Sequence, residues 1–486
     1  MNNKALLQLG SELLFLFRHG NGPADSAISA YIRERKFLGA TDKRFLTDVY
    51  YHAIRHLRRI DESILSAFAG SPLAEERFSA GFPVTSEKGA WAWVRGRADA
   101  PEARAPRPNA FDRFVDTTRL GLAAVELKLE TAAVVAEELV RAWPVKEIQT
   151  PVQPKSIARM VERAAEVMEL FAKPRRIVDE DRAASFPAWL WGQLSMHRAP
   201  EELPALARAL NQQSSVAMRV NTLRASVNQA AKALEAAALP TRPSALAPQA
   251  LILDSRVARN TIPHMRDGWF EMQDDGSQLV SIYADPMPGQ LVVDACAGGG
   301  GKALHLAALM MNEGRLVAMD SDRDRLARMQ PRIERSGAAV IDTTVSYGPG
   351  GELPSLEKLP LADLVLIDAP CSGTGTLRRN PEARWRLSPS TLEELLRTQR
   401  ELLNKWAPRV RPGGALVYAT CSLLDCENAS QTRDFLAAHR DFRLEPPEGF
   451  AGPLTPKGEL ALDPLHHGCD GFYAARFVKA GSGRGK

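Results

Sequence analysis

The feature that most constrains this chain is an alternation that begins near residue 288. LVVDACA, RLVAMD, LADLVLIDAP and GGALVYATCS are short apolar runs. Between them lie KALHLAALMM, DRDRLARMQPRIERSG and a long helical pattern from about residue 389. Strands too apolar to alternate are buried on both faces, and the helices between them supply the two covers. A mostly parallel, doubly wound sheet is therefore expected. Such sheets hold their ligands in the crevice at the carboxyl ends of the strands, so the strand ends are where chemistry is sought.

The first strand ends in LVVDACAGGGGK, residues 291–302. Glycines at that point let backbone N–H groups approach a ligand. The loop is not G-x-G-x-x-G, and Lys302 is followed by Ala303 and not by Ser or Thr, which weakens a dinucleotide or P-loop reading. The second strand ends at Asp320, 18 residues beyond Lys302. A carboxylate there can accept from both ribose hydroxyls of an adenosine-containing cofactor, whether NAD or S-adenosylmethionine.

Two further strands end in cysteine motifs. LADLVLIDAPCSGTG carries Asp368 and Cys371, and GGALVYATCSLLDCEN carries Thr420 and Cys421. Strand ends on one edge of a parallel sheet open into one crevice, so two thiols are expected beside the cofactor. Cytosine methylation at carbon 5 needs a thiol. Carbon 5 is a poor nucleophile until a thiolate adds to carbon 6 and breaks the aromaticity. A thiol, with an ordinary pKa of about 8.5 that an electropositive site lowers, suits that step. A carboxylate such as Asp368 can hold the ring and stabilise the charge of the adduct. Each cysteine taken alone reads more simply as a small buried hydrophobe. Two of them in polar turn motifs argue against that.

The rest of the chain bounds the possibilities. At 486 residues it exceeds one core, and two or three domains are expected. ADSAISAYIRERKFL, DKRFLTDVYYHAIRHLRRID and DTTRLGLAAVELKLETAAVVAEELVRAW have helical periodicity and make the first 145 residues a helical bundle. VAMRVNTL, SVNQAAKALEAAAL, ALILD and WFEMQDD read as strand, helix, strand, strand, a small α/β unit. A net charge of +4 is compatible with nucleic acid without establishing it. Five cysteines are too few for a disulfide scaffold and imply free thiols in a reducing cytoplasm, with no zinc pattern. No run is long enough to span a bilayer, and the amino-terminal apolar residues have helical spacing, unlike those of a signal peptide.

Taken together, D-A-C-A-x-x-G-G-K, D-A-P-C-S-G-T-G and Y-A-T-C-S followed by E-N resemble the RsmB-like (Sun-domain) family of RNA 5-methylcytosine methyltransferases. MQDDGSQLV, TLRRNPEARW and DGFYAARF extend the resemblance over roughly residues 215–479. It implies a Rossmann-like S-adenosylmethionine-dependent domain at 286–480, preceded by a small α/β RNA-facing unit at 201–285. A connecting segment at 151–200 and a helical domain at 1–150, weakly NusB-like, complete the division. It further implies that Cys421 is the nucleophile and that Cys371 assists breakdown of the adduct. Cys296, Ala297, Gly298, Gly299, Gly300, Gly301 and Lys302 would form the cofactor loop, with Asp320 on the ribose and Asp368 near cofactor and base. No metal is implied. The loop has AGGGG where the family commonly has A-A-P-G-G. The acid usually found near the adenine is replaced by Ser346, with Asp342 close by.

Arg378, Arg379, Arg384 and Arg386 surround Trp385 just after the Cys371 turn. Arg378, Arg379, Arg384 and Trp385 are therefore candidate RNA contacts, through phosphate pairing and base stacking, against the plainer reading of a solvated helix face. The expected partner is RNA, ribosomal before transfer RNA, bound by a cytoplasmic monomer. Two rivals stand beside this reading. A DNA cytosine methyltransferase would place its sole nucleophile in the P-C motif. A non-catalytic RNA-binding assembly factor would have no need of both thiols and the cofactor acid.

Overall fold

A computed structural model describes residues 3–19, 24–57, 59–60, 110–128, 134–135, 139, 184–254, 257–345 and 359–481. The chain forms two compact units. One comprises Met1–Asn211 with Asn380–Ser388, and the other Gln212–Arg379 with Pro389–Lys486. The helical expectation for the amino-terminal region holds over its described residues, in α1 (Asn3–His19), α2 (Ala24–Glu34), α3 (Ala40–Arg55) and α4 (Ala110–Glu126). The apolar stripe of each faces a common core that includes Leu13, Leu14, Leu46, Tyr50, Ile54 and Leu120. α5 (Ala188–Ser195) and α6 (Glu202–Asn211) follow in the same unit. Among the described residues, no helix is long and apolar enough to cross a membrane.

The second unit begins with the small sheet read from the sequence. Its strands are β1 (Val216–Val220), β2 (Thr241–Pro243), β3 (Ala250–Leu253) and β4 (Phe270–Met272), in the order β2-β3-β1-β4 and all antiparallel. One helix, α7 (Val227–Ala236), covers it. Ser226 caps that helix by accepting from the Gln229 amide at 3.2 Å, the arrangement that S-x-x-Q specifies. α8 (Asp275–Ala284) then leads into the large sheet and is capped by Asp274.

That sheet has strands β5 (Leu291–Asp294), β6 (Arg315–Asp320), β7 (Ile341–Val345), β8 (Ala362–Asp368) and β9 (Val410–Thr420), followed by β10 (Phe442–Leu444), β11 (Leu460–Leu462) and β12 (Phe472–Lys479). Its order is β10-β12-β9-β8-β5-β6-β7, with β11 paired to β12. β7, β6, β5, β8 and β9 run parallel, as the buried apolar runs require. β12 lies antiparallel to β9, and β10 and β11 lie antiparallel to β12. The sheet is thus mixed along one side, an arrangement that apolar runs alone do not signal. α9 (Gly301–Leu309), α10 (Arg323–Ser336), α11 (Pro389–Trp406) and α12 (Ala429–Ala438) cover it. Two apolar clusters lie on its faces, one holding Val292, Leu316, Leu364 and Val417, the other Val293, Val317, Val365 and Leu416. The alternation of neighbours between clusters is the two-residue period of strands buried on both sides. From β5 the chain runs outward through β6 and β7, then returns to β8 on the other flank. The carboxyl ends of β5, β6 and β8 therefore surround a topological switch point.

Candidate active site

A cavity of about 560 Å³ lies at that switch point. Its size is that of a small-molecule site. Every residue of the expected loop from Cys296 to Lys302 lines it except Gly300, together with Asp320, Asp368 and Cys371. The loop is tied down by its own amides, Ala295 N–H donating to Leu366 at 2.8 Å and Ala297 N–H to Met319 at 2.8 Å. Gly300 caps α9 with φ of +87°, and a Cβ there would stand 2.5 Å from Met329 Cγ, so glycine is required. The Arg332 guanidinium donates to the Gly299 carbonyl and, at 2.7 Å, to Glu271 of β4.

Asp320 ends β6 with each carboxylate oxygen accepting one backbone bond. Oδ2 takes the Gly298 N–H at 2.8 Å and Oδ1 the Asp322 N–H at 2.8 Å. A carboxylate oxygen has a second lone-pair site, so both can still accept from a ligand. Lys302, buried in the first turn of α9, donates to Asp368 at 2.7 Å. Burial opposes its charge, but the Asp368 carboxylate, and beyond it the Cys421 sulfur and Asp294, outweigh burial and raise the Lys302 pKa.

One lining residue had no role in the sequence reading. Asp294 is sealed from solvent, and neither carboxylate oxygen has a hydrogen-bond partner of good geometry among the described residues. Burial, and then the neighbouring Asp368 charge, push its pKa up to about 7. A buried carboxylate left without a partner is costly unless something arrives to pair with it. The methionine ammonium of S-adenosylmethionine is such a group, and the cavity, the Asp320 acceptors and the glycine loop fit the rest of that molecule. The sequence signals of Asp294 were its place at the last position of its strand and as the first residue of D-A-C-A-x-x-G-G-K, neither of which assigned it a role.

The two sulfurs meet. Cys371 Sγ and Cys421 Sγ are 3.4 Å apart, at the ends of the adjacent parallel strands β8 and β9. Their contact pushes the Cys371 pKa well up, and burial, the Cys421 charge and Glu427 add to it, so Cys371 holds its proton. The P-C-S-G-T-G turn passes close to the strand-entry Gly471. Gly375 N–H donates to the Cys421 carbonyl at 2.9 Å and Gly471 N–H to Gly375 at 2.9 Å, and a Cβ on Gly375 would lie 2.1 Å from the Gly471 oxygen. Cys296 lines the cavity with a thiol whose pKa burial drives far up; Cys469 is buried.

The basic cluster is placed differently from the surface that its charge suggested. Arg384 is wholly buried, donating to the Ser185 carbonyl at 3.2 Å and to Asn211 Oδ1 at 2.7 Å, with its guanidinium over the Phe186 ring. Trp385 is buried in the helical unit and donates its indole N–H to Ile54 O at 2.9 Å. Neither presents a group to a phosphate or a base. Arg378 is buried against the Gly468 carbonyl at 2.7 Å, and Arg379 pairs with Asp274 and Asp470 at 2.5 Å each. These arginines already bind acceptors of their own chain. Of the two residues weighed for the adenine, Ser346 lies outside the described residues. Asp342 is exposed and pairs with Arg315 at 2.8 Å, at the opposite end of β6 from Asp320.

Comparison with known proteins gives the family and the fold. Residues 281–478 match the family model described as 16S rRNA methyltransferase RsmB/F, and residues 186–259 match the RsmF/B-like ferredoxin-like domain. The chain is 36% identical over 322 residues to the probable ribosomal RNA small subunit methyltransferase B of Synechocystis sp., covering 63% of this chain and 70% of that protein. Among solved structures, PH0851 aligns over 99% of both chains with a TM-score of 0.72 and 25% identity. A methyltransferase homolog from Pyrococcus horikoshii aligns over 63% of this chain and 100% of its own, with a TM-score of 0.53 and 26% identity. S-adenosylmethionine is the cofactor that goes with this family and with the cavity just described. By sequence, by fold and by the residues at its switch point, the chain belongs to the RsmB/F family of methyltransferases.

Proposed function

We propose that this protein transfers a methyl group to carbon 5 of a cytosine in ribosomal RNA, with Cys421 as the attacking thiolate. The observation that carries the reading is the pair of sulfurs 3.4 Å apart beside a cofactor-sized cavity. The ribosomal target is supported by the small-subunit RNA methyltransferase to which the chain is 36% identical.

When bound, S-adenosylmethionine supplies an electrophilic sulfonium methyl. The residues of this chain do the rest. The Lys302 ammonium, held charged by Asp368, stands in the electrostatic field of the Cys421 sulfur. The Cys421 thiolate adds to carbon 6 of the base, and the displaced electron pair makes carbon 5 nucleophilic. Asp368 lines the cavity wall, and in this reading its carboxylate accepts from the exocyclic amine of the base. After transfer, a water molecule takes the proton from carbon 5, the electron pair of that C–H bond restores the ring double bond, and the carbon 6–sulfur bond breaks to expel Cys421 as a thiolate. Cys371, which keeps its proton, then donates to the departing sulfur. A base stacked in a stem cannot present carbon 6 to a thiolate, so the cytosine must be unpaired or flipped.

Denaturing electrophoresis of enzyme mixed with unmodified small-subunit RNA and cofactor tests this assignment. Cys421→Ala should abolish turnover and leave no covalent band, whereas Cys371→Ala should stall as a methylated RNA–protein adduct that RNase collapses. A band with Cys421→Ala and none with Cys371→Ala would reverse the roles. Normal methylation by both variants would remove cysteine catalysis altogether.

A further inference from the structure

We propose that Glu427 is the positioning residue that sets the two sulfurs against each other; the inference rests on the cysteine mechanism above. Glu427 is fully buried, six residues past Cys421, and four donors converge on its carboxylate. Oε1 accepts from the Ser372 N–H at 2.8 Å and from Gln399 Nε2 at 3.0 Å, and Oε2 accepts from the hydroxyls of Ser372 and Ser422. Ser372 follows Cys371 and Ser422 follows Cys421. One carboxylate therefore clamps the residue after each thiol and binds two strand ends to one another. Gln399 extends the clamp, since the same amide donates to the Pro370 carbonyl at 2.9 Å.

Glu427 is itself held from behind. Tyr418 of β9 donates to its carbonyl at 2.6 Å, and the next residue, Asn428, accepts from Thr420 at 2.6 Å and donates to the Ser422 carbonyl at 2.8 Å. None of the four donors to its carboxylate is cationic, so its buried charge is carried by hydrogen bonds alone, each of the stronger charge-assisted kind. Such a network fixes its members only while complete. Glu427 does not line the cavity and touches neither thiol as a bonded partner, which makes it a support for the chemistry and not a participant. A displacement of about 1 Å at a reacting atom costs about a hundredfold in rate, so loss of the clamp should be visible far beyond a stability effect.

The test compares Glu427→Ala with Glu427→Gln in the full chain. Glutamine has the same shape, its carbonyl can take the Ser372 and Gln399 donors, and its amide can donate to two hydroxyls that rotate to accept. Phenylarsine oxide, which bridges two thiols only when they are adjacent, reads the geometry without any RNA. Wild type and Glu427→Gln should capture the arsenical with equal stoichiometry at the Cys371–Cys421 pair, and Glu427→Ala should lose it. Single-turnover methyl transfer should fall at least about a hundredfold in Glu427→Ala and recover most of that in Glu427→Gln, with S-adenosylmethionine affinity within about twofold throughout. Arsenical capture and transfer by Glu427→Ala at wild-type levels would overturn the proposal, as would a Glu427→Gln variant as impaired as Glu427→Ala. If Glu427→Ala does not fold, the Ser372→Ala, Ser422→Ala double variant replaces it. That variant removes the two hydroxyl arms, and undiminished capture by it would equally overturn the clamp. If Cys371→Ala forms no RNA adduct, the cysteine mechanism fails, while arsenical capture still judges the clamp.

Discussion

The unpartnered Asp294 gives the most quantitative expectation. Its carboxyl is raised from the ordinary 3.8 to about 7 by burial and by the Asp368 charge. Roughly three units at 1.36 kcal/mol each make this one group worth roughly 4 kcal/mol between its two protonation states. The sign follows from the direction. A group whose pKa is higher folded than unfolded stabilises the fold below about pH 4. That contribution is lost as the pH rises through about 7, where the buried acid must ionise. Asp294→Asn has nearly the same shape and never ionises. By urea titration at pH 4 and pH 8, the cofactor-free variant should match wild type to within about 1 kcal/mol at pH 4 and exceed it by roughly 4 kcal/mol at pH 8. Subtracting the two proteins removes the parallel contribution of Asp470, which burial also raises to about 7. The cofactor should reverse the ranking. Its ammonium pairs with the ionised carboxylate, so binding at pH 6 should release a proton. Calorimetry in two buffers of different ionisation enthalpy would detect that release in wild type and not in Asp294→Asn. Equal stabilities at pH 8, with no proton release, would refute both the burial cost and the ammonium contact.

Two expectations join it and the cysteine and Glu427 experiments. Asp320→Ala should weaken S-adenosylmethionine binding by about 1.5–3 kcal/mol, roughly 10- to 150-fold in Kd, the range for charge-assisted hydrogen bonds. Unchanged affinity by titration calorimetry in a folded variant would remove Asp320 from the ribose. Arg379→Ala should destabilise the protein by about 3 kcal/mol, because it strands the buried Asp274 and Asp470 carboxylates. The salt dependence of RNA binding should stay the same, and a slope flattened by about one unit would restore Arg379 as a phosphate contact.

The order of strand and helix in the large sheet was readable because strands buried on both faces leave long apolar runs between amphipathic helices. The pattern failed where burial and periodicity part company. β7, IDTTV, sits at the sheet edge with Asp342 and Thr343 exposed, so it carries too little apolar signal to stand out. β12, FYAARFVK, is nearly all buried, but an apolar run has no direction, and nothing in it says that the strand returns antiparallel to β9. The arginine cluster misled for a related reason. Charge predicts exposure on average, yet Arg384 is enclosed by Phe186, Ser185 and Asn211, almost two hundred residues earlier in the chain. A guanidinium enclosed by residues distant in the chain cannot be told from a solvated one by its neighbours in sequence.

The site divides along the same line. That Cys371 and Cys421 open into one crevice follows from topology alone, because β8 and β9 are adjacent and parallel and each cysteine lies just past its strand. Asp368 and Ala419 are in register, and Cys371 and Cys421 lie three and two residues beyond them. Topology delivers strand ends to one edge without fixing their separation, since neighbouring strands stand about 4.8 Å apart and free turns diverge from there. Contact at 3.4 Å needs the turns drawn inward. Three features do this: Gly375 passing against Gly471, the Gly375 amide on the Cys421 carbonyl, and Glu427 reaching both serines. Each is a long-range partnership among small or common residues, which leaves no periodic trace. The reacting atoms were therefore readable from strand order, whereas their distance, on which the proposed chemistry turns, is a property of the packed turns behind them.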